Sequence, residues 1–89
     1  MANYQQITAD TQVKVGFGKL KGLFFSAASG SPTIEFHDTP DGDTNDPKII
    51  ASFIPVAATS FFFGDDGIAF SKGLYVNIAN TVSVTIIYE

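Results

Sequence analysis

The chain has 89 residues, a mass of 9.5 kDa, no cysteine and a net charge of −4, which suffices for one small domain and excludes a multidomain enzyme. Five Lys, no Arg and nine acidic residues argue against a nucleic-acid partner, because Arg is the side chain that reads guanine and clamps phosphate. A domain of this size without disulfides needs a dense apolar core or a partner, and 45% hydrophobic residues with nine Phe favour both.

Residue usage predicts an all-β protein. Ile, Val and Thr together supply 23 of the 89 residues, whereas Leu is present three times, Glu twice and Met once. β-branched residues pack well on a pleated sheet, and the strong helix formers are nearly absent. The first residues contain neither a basic n-region nor an apolar h-region, so no secretory signal is expected. The uncharged stretch 49–64 contains Pro55 and is shorter than the roughly 20 residues of a membrane helix, so we expect a soluble protein with no membrane partner.

The beginning of the chain differs in composition from the remainder. Residues 1–12 are polar, with Tyr4 and Ile7 as apolar anchors, and contain no strong turn signal. We interpret them as an extended N-terminal arm or edge strand. Residues 13–89 are then a single domain.

Short segments with a period of two follow one another from residue 13 onward, and Gly, Pro, Asn or Asp separate most of them. They predict strands at residues 13–17, 19–27, 33–38, 48–54, 56–63, 68–70, 74–79 and 81–88. Ser29 to Pro32 is predicted as a turn, and Asn80-Thr81 as the turn of a final hairpin. Seven or eight short strands at this spacing predict a small antiparallel β-sandwich, jelly-roll-like, with a small barrel as second choice.

The acidic loop between the third and fourth predicted strands resembles part of a calcium loop. Asp41 and Asp43 occupy its first and third positions, but Asp46 and Ser52 stand where an EF-hand has its Gly and its bidentate Glu. We therefore interpret the loop as a solvated turn without a metal. If a cation does bind, the candidate ligands are Asp41, Asp43 and Asp46, with Asp38 nearby.

No pattern of catalytic residues stands out. His37 is the sole histidine, and with Glu35 on the same strand face it offers too few ligands for zinc. No G-x-S-x-G motif is present, and nearly all carboxylates are Asp residues in or near turns, where water keeps them ionised. We expect an exposed strand histidine, no cofactor and no enzymatic activity.

Three consecutive Phe residues, Phe61, Phe62 and Phe63, are unusual for a solitary soluble domain. On a strand, at least one of them must point away from the side that its neighbours bury. Either both faces of this strand are covered within one chain, or the segment is a self-association or docking surface, where aromatic residues are enriched. The predicted partner or oligomer contacts are these three residues together with Tyr4 and Ile7.

Several segments stand in a distinctive order: LKGLFF at 20–25, SGSPTI at 29–34, the acidic loop, IIASF at 49–53 with PVA at 55–57, IAFSKGLYV at 68–76 and VSVTIIY at 82–88. Over roughly residues 13–88 this order resembles a group of small virion proteins of tailed bacteriophages. The resemblance implies a β-sandwich structural subunit, above all a head decoration or cement protein that sits on the major capsid protein at the capsid surface. It also implies assembly in the host cytoplasm. The segment Phe61 to Phe63 and the small size of the domain favour a homo-oligomer, for which a trimer is one option, or a subunit docked on a larger assembly.

Two other roles are open within the same resemblance. The first is a tail fibre or spike module that binds host carbohydrate, although the chain has no Trp and its Tyr residues are Tyr4, Tyr75 and Tyr88. The second is a tail connector subunit, which would differ from a decoration protein in location and copy number.

Overall fold

The computed structural model describes residues 3–43, 45 and 47–89. These residues contain no helix and form one antiparallel sheet of seven strands. The strands are β1 (Asn3–Ile7), β2 (Thr11–Val15), β3 (Gly18–His37), β4 (Lys48–Phe53), β5 (Thr59–Phe62), β6 (Ile68–Phe70) and β7 (Gly73–Tyr88). The all-β prediction is confirmed, and the architecture is consistent with a small β-sandwich. Within the described ranges, no helix is long and apolar enough to cross a membrane.

The two longest strands organise the sheet. β3 has 20 residues and β7 has 16, and they pair along their lengths from Leu20 opposite Tyr88 to His37 opposite Tyr75. Both strands bend near the middle, where Gly30 and its neighbour Ser31 have positive φ in β3 and Asn80 has positive φ in β7. The bend lets one continuous sheet fold into two layers.

Each half of the β3–β7 pair carries its own flanking strands. In the first layer, β1 pairs with the C-terminal half of β7, while β5 and β6 pair with the N-terminal half of β3. In the second layer, β2 pairs with the N-terminal half of β7, and β4 pairs with the C-terminal half of β3. Phe25 of the first layer packs edge-on against Phe53 of the second, with ring centroids 5.9 Å apart.

The final hairpin predicted from the sequence is wrong. Residues 74–79 and 81–88 are halves of the single strand β7, and each half pairs with β3 rather than with the other half. The predicted strands 19–27 and 33–38 are likewise halves of β3. Asn80 adopts the positive φ of a turn residue, but the chain bends there instead of reversing, since β3 bends alongside it. Two strands are therefore long, where the sequence predicted only short ones.

The core lies between the two layers and consists of alternate residues of the paired strands. Its buried hydrophobic residues are Ile7, Val13, Leu20, Leu23, Phe25, Ile34, Phe36, Phe70, Leu74, Val76, Val82, Val84 and Ile86. Phe25 is at the centre of a three-ring cluster with Phe53 and Phe61, in which all three pairs meet edge-to-face at 5.9 to 6.1 Å. Such pairs each add about 0.5–1.5 kcal/mol beyond the area they bury.

Candidate functional site

A row of apolar residues crosses the side of the first layer that faces away from the core. Tyr4 on β1 is paired with Ile87 on β7, and Ile87 with Gly22 on β3. Gly22 is paired in turn with Phe62 on β5. Tyr4 is 78% exposed, Phe62 74% and Ile87 37%. A Cβ added at Gly22 would lie 3.8 Å from the Cδ1 atoms of Ile87 and Phe62, so these two side chains flank the glycine.

The next row on the same side contains both polar and apolar residues, none of which is charged. Gln6 is paired with Thr85, Thr85 with Phe24, and Phe24 with Ser60. Phe24 is 43% exposed. The two rows together form what we call the outer face: Tyr4, Gln6, Gly22, Phe24, Ser60, Phe62, Thr85 and Ile87. None of these residues carries a charge, although the chain has a net charge of −4.

Along the strands, polar groups border the two rows of the outer face on either side. At one end, Lys21 forms an ion pair with Glu89, with 3.6 Å between Nζ and Oε2. At the other end, Ser26 Oγ donates to Ser83 Oγ at 3.1 Å, and Gln6 Nε2 donates to the same hydroxyl. An apolar centre with a polar rim is the usual anatomy of a protein–protein interface.

The three consecutive Phe residues divide between two sides of the sheet. Phe62 belongs to the outer face, whereas Phe61 and Phe63 line a groove of about 360 Å³ on the core side of β5. The other lining residues are Leu23, Ile50, Ala51 and Phe53. The segment therefore contributes both to the core and to an exposed apolar surface.

Other exposed hydrophobic residues, and the last of the predicted contact residues, lie outside the outer face. Ile7 is buried in the core, so its side chain is not presented to a partner. Phe17 is 79% exposed in the connection between β2 and β3. Ile54 and Val56 are exposed in the connection between β4 and β5.

Sequence reasoning missed two of the large apolar residues of the outer face, Phe24 and Ile87. Both interrupt the alternation of their strands, because each follows or precedes another large apolar residue. Ile87 follows Ile86, which is fully buried, so its own side chain must point to the opposite side. An apolar residue at an outward-facing position was the signal that could have identified both.

Asp38, the first carboxylate of the acidic loop, connects the loop to the turn between β6 and β7. Asp38 Oδ2 accepts hydrogen bonds from the N–H and the hydroxyl of Ser71, at 3.1 and 3.2 Å. Its Oδ1 accepts from the N–H groups of Lys72 and Gly73, at 2.7 and 3.2 Å. Burial raises the pKa of Asp38, but these donors outweigh burial and leave the pKa below its ordinary value. The carboxylate fastens the end of β3 to the turn between β6 and β7.

The carboxylates of the candidate metal ligands Asp41 and Asp43 accept hydrogen bonds from nearby residues of the loop. Asp41 Oδ1 accepts from Thr39 Oγ1 at 2.9 Å and from the N–H of Asp43 at 3.2 Å. Asp43 Oδ1 accepts from the N–H of Asn45 at 2.9 Å. Asp46, the third candidate, lies outside the described residues. Among the residues that are described, no group of three or more His or acidic side chains is placed to hold a metal ion.

His37 was expected to be exposed, and this prediction is wrong. The side chain is fully buried, because Tyr75 packs beside it at 6.4 Å between ring centroids. The acidic loop lies close to the same tyrosine, where an added Cβ at Gly42 would be 3.3 Å from the Tyr75 ring. His37 Nε2 is 3.0 Å from Glu35 Oε1. This hydrogen bond, with further help from Asn77 and Lys48 against the opposing effect of burial, lowers the pKa of Glu35.

Comparison with models of known protein families, with curated proteins and with solved structures finds no match. The resemblance to virion proteins of tailed bacteriophages therefore stays a prediction from the sequence. Among the described residues, the outer face, its polar rim and the groove beside β5 are the features on which a functional proposal can be based.

Proposed function

We propose that this chain is a non-enzymatic structural protein of a phage virion, namely a capsid decoration (cement) protein that binds the major capsid protein and stabilises the shell. The observation that supports this most strongly is the outer face, where Tyr4, Phe62 and Ile87 form an exposed row across four strands. Contiguous exposed apolar surface on a small domain marks a site of protein contact. The segment order that resembles phage virion proteins supplies the identity of the partner.

The proposed mechanism is adhesion. A cement protein bridges neighbouring shell subunits, and the surface that it buries opposes the outward pressure of packaged DNA. A preformed sheet suits this role, because a surface that is already ordered loses less conformational freedom on association. Outside the outer face, the exposed Phe17, Ile54 and Val56 of two loops offer apolar contacts to the shell.

The proposal is tested with phage particles assembled without this chain. Such particles should release their DNA at a lower temperature, or after a milder osmotic shock, than complete particles. Addition of the purified protein should restore the resistance, since binding to the assembled shell stabilises it by mass action. Protein that neither binds the deficient particles nor restores their resistance would overturn the cement role.

A further inference from the structure

We propose that the outer face binds the outer face of a second copy of this chain, and that the pair has two-fold symmetry. This dimer rests on the proposed structural role and is the form in which the chain would associate with itself. A contact between two identical surface patches is isologous, so it closes as a dimer and leaves no unsatisfied patch for further growth. Other exposed apolar residues, among them Phe17, Ile54 and Val56 in two loops, are then left for other partners.

The distribution of charge favours a second copy as the occupant. Two copies of a chain with a net charge of −4 repel each other, so self-association requires a surface from which charge has been removed. The outer face meets that requirement, because its eight residues are all uncharged. At the rim, Lys21 and Glu89 form an ion pair. A neutral face complements itself, whereas a strongly charged partner would gain no electrostatic attraction from it.

The exposed area approaches that of a small, weak interface. An aromatic side chain offers about 150–250 Å² of surface, so Tyr4, Phe24 and Phe62, at 78%, 43% and 74% exposure, present roughly 400 Å² per copy. Two faces therefore cover roughly 800 Å² from their rings alone. With Ile87 and the neutral polar residues included, the total approaches the lower limit of about 1,200 Å² for a specific interface. We expect a dissociation constant in the micromolar range.

The shape of the face fits sheet-on-sheet packing. Gly22 has no side chain of its own, and Ile87 and Phe62 flank it from the neighbouring strands. Two such faces can approach to the ~10 Å spacing of stacked sheets, with Phe24 and Phe62 of each copy between the side chains of the other. The polar residues at both ends of the strands then form the rim of the dimer.

The test compares two lysine substitutions at equally exposed phenylalanines. Phe62→Lys introduces a charge into the outer face, and Phe17→Lys introduces the same charge outside it; the two side chains are 74% and 79% exposed. Sedimentation equilibrium is measured from about 1 μM to about 500 μM, a range that spans a micromolar constant. The wild type and Phe17→Lys should form dimers with the same dissociation constant. Phe62→Lys should weaken the dimer by at least about 100-fold, because the interface would bury an unpaired charge.

Three results would overturn the inference: a monomeric wild type over the whole range, a trimer in place of a dimer, or equal dissociation constants for the two variants. Circular dichroism checks that both variants fold. If Phe62→Lys does not fold, Tyr4→Lys at the other end of the row takes its place, and it should weaken the dimer in the same way. Because sedimentation involves no particle, failure of this inference is distinguishable from failure of the cement role.

Discussion

Asp38 Oδ1 accepts a hydrogen bond of 2.7 Å from the backbone N–H of Lys72, which lies 34 positions further along the chain. The same carboxylate also receives the N–H groups of Ser71 and Gly73. A single side chain thus satisfies three consecutive backbone donors in the turn before β7. Hydrogen bonds to a charged acceptor are about twice as strong as neutral ones, so this contact is a major determinant of how the loop is attached to the sheet.

Replacement of Asp38 should therefore destabilise the domain. We expect Asp38→Ala to lower the free energy of unfolding by about 1–3 kcal/mol, because it removes the charged acceptor of four hydrogen bonds, one of them from the part-buried N–H of Gly73. Asp65→Ala, in an exposed turn, is the matched control and should change it by less than about 0.5 kcal/mol. Urea denaturation measures both. Equal effects of the two substitutions would show that the Asp38 contacts are not stabilising.

The contribution of Asp38 should depend on pH in a defined direction. Its native pKa is lowered from the ordinary 3.8, so the folded protein favours the ionised form. The stabilisation is then complete above the unfolded pKa and is lost as the pH falls through the lower native pKa. We expect the stability difference between the wild type and Asp38→Ala to be constant near neutral pH and to shrink below about pH 4. A difference that persists unchanged in strong acid would contradict this.

The consecutive residues Phe61 and Phe62 should respond differently to truncation. Phe61→Ala removes edge-to-face contacts with Phe25 and Phe53, and we expect a loss of about 1–2 kcal/mol. Phe62→Ala removes a side chain from the outer face and should change the stability of the monomer by less than about 0.5 kcal/mol. Denaturation at low protein concentration separates folding from self-association. The reverse order of effects would mean that β5 has the opposite orientation.

Calcium should have no effect on stability. Asp41 already accepts hydrogen bonds from Thr39 and from the N–H of Asp43, and Asp43 accepts one from the N–H of Asn45. These contacts shape the loop without a cation. We expect the same Tm in calcium and in a chelator. A Tm that rises with calcium concentration would instead indicate a cation that binds the native state.

The sequence predicted the fold class and much of the local alternation. The abundance of β-branched residues indicated strands, and the buried residues Ile34 and Phe36 alternate with a period of two in one of the predicted strands. Local sequence did not determine how the strands connect. Asn80 takes positive φ whether the chain reverses or bends, and pairing with the distant β3 decides between the two. The burial of His37 was also not predicted, since it depends on packing against Tyr75, a residue of the distant strand β7.

Only part of the candidate site was predicted from the sequence, again because the pattern of one strand does not specify its pairing with distant strands. Tyr4 and Phe62 were recognised because large apolar residues in polar or crowded segments are conspicuous. Phe24 and Ile87 were missed, since their exposure depends on which neighbour is buried and on the bulge that shifts the β3–β7 register between Leu20 and Gly22. The juxtaposition of these four residues requires the long-range register, which the pattern of a single strand does not contain.

The number of copies of this chain per particle is the most direct test of the proposed function. Quantitative mass spectrometry of purified phage particles would give its ratio to the major capsid protein. A decoration protein should be present at an abundance comparable to that of the capsid protein. A few copies per particle would contradict the cement role and favour a tail component, and complete absence would contradict a role in the virion.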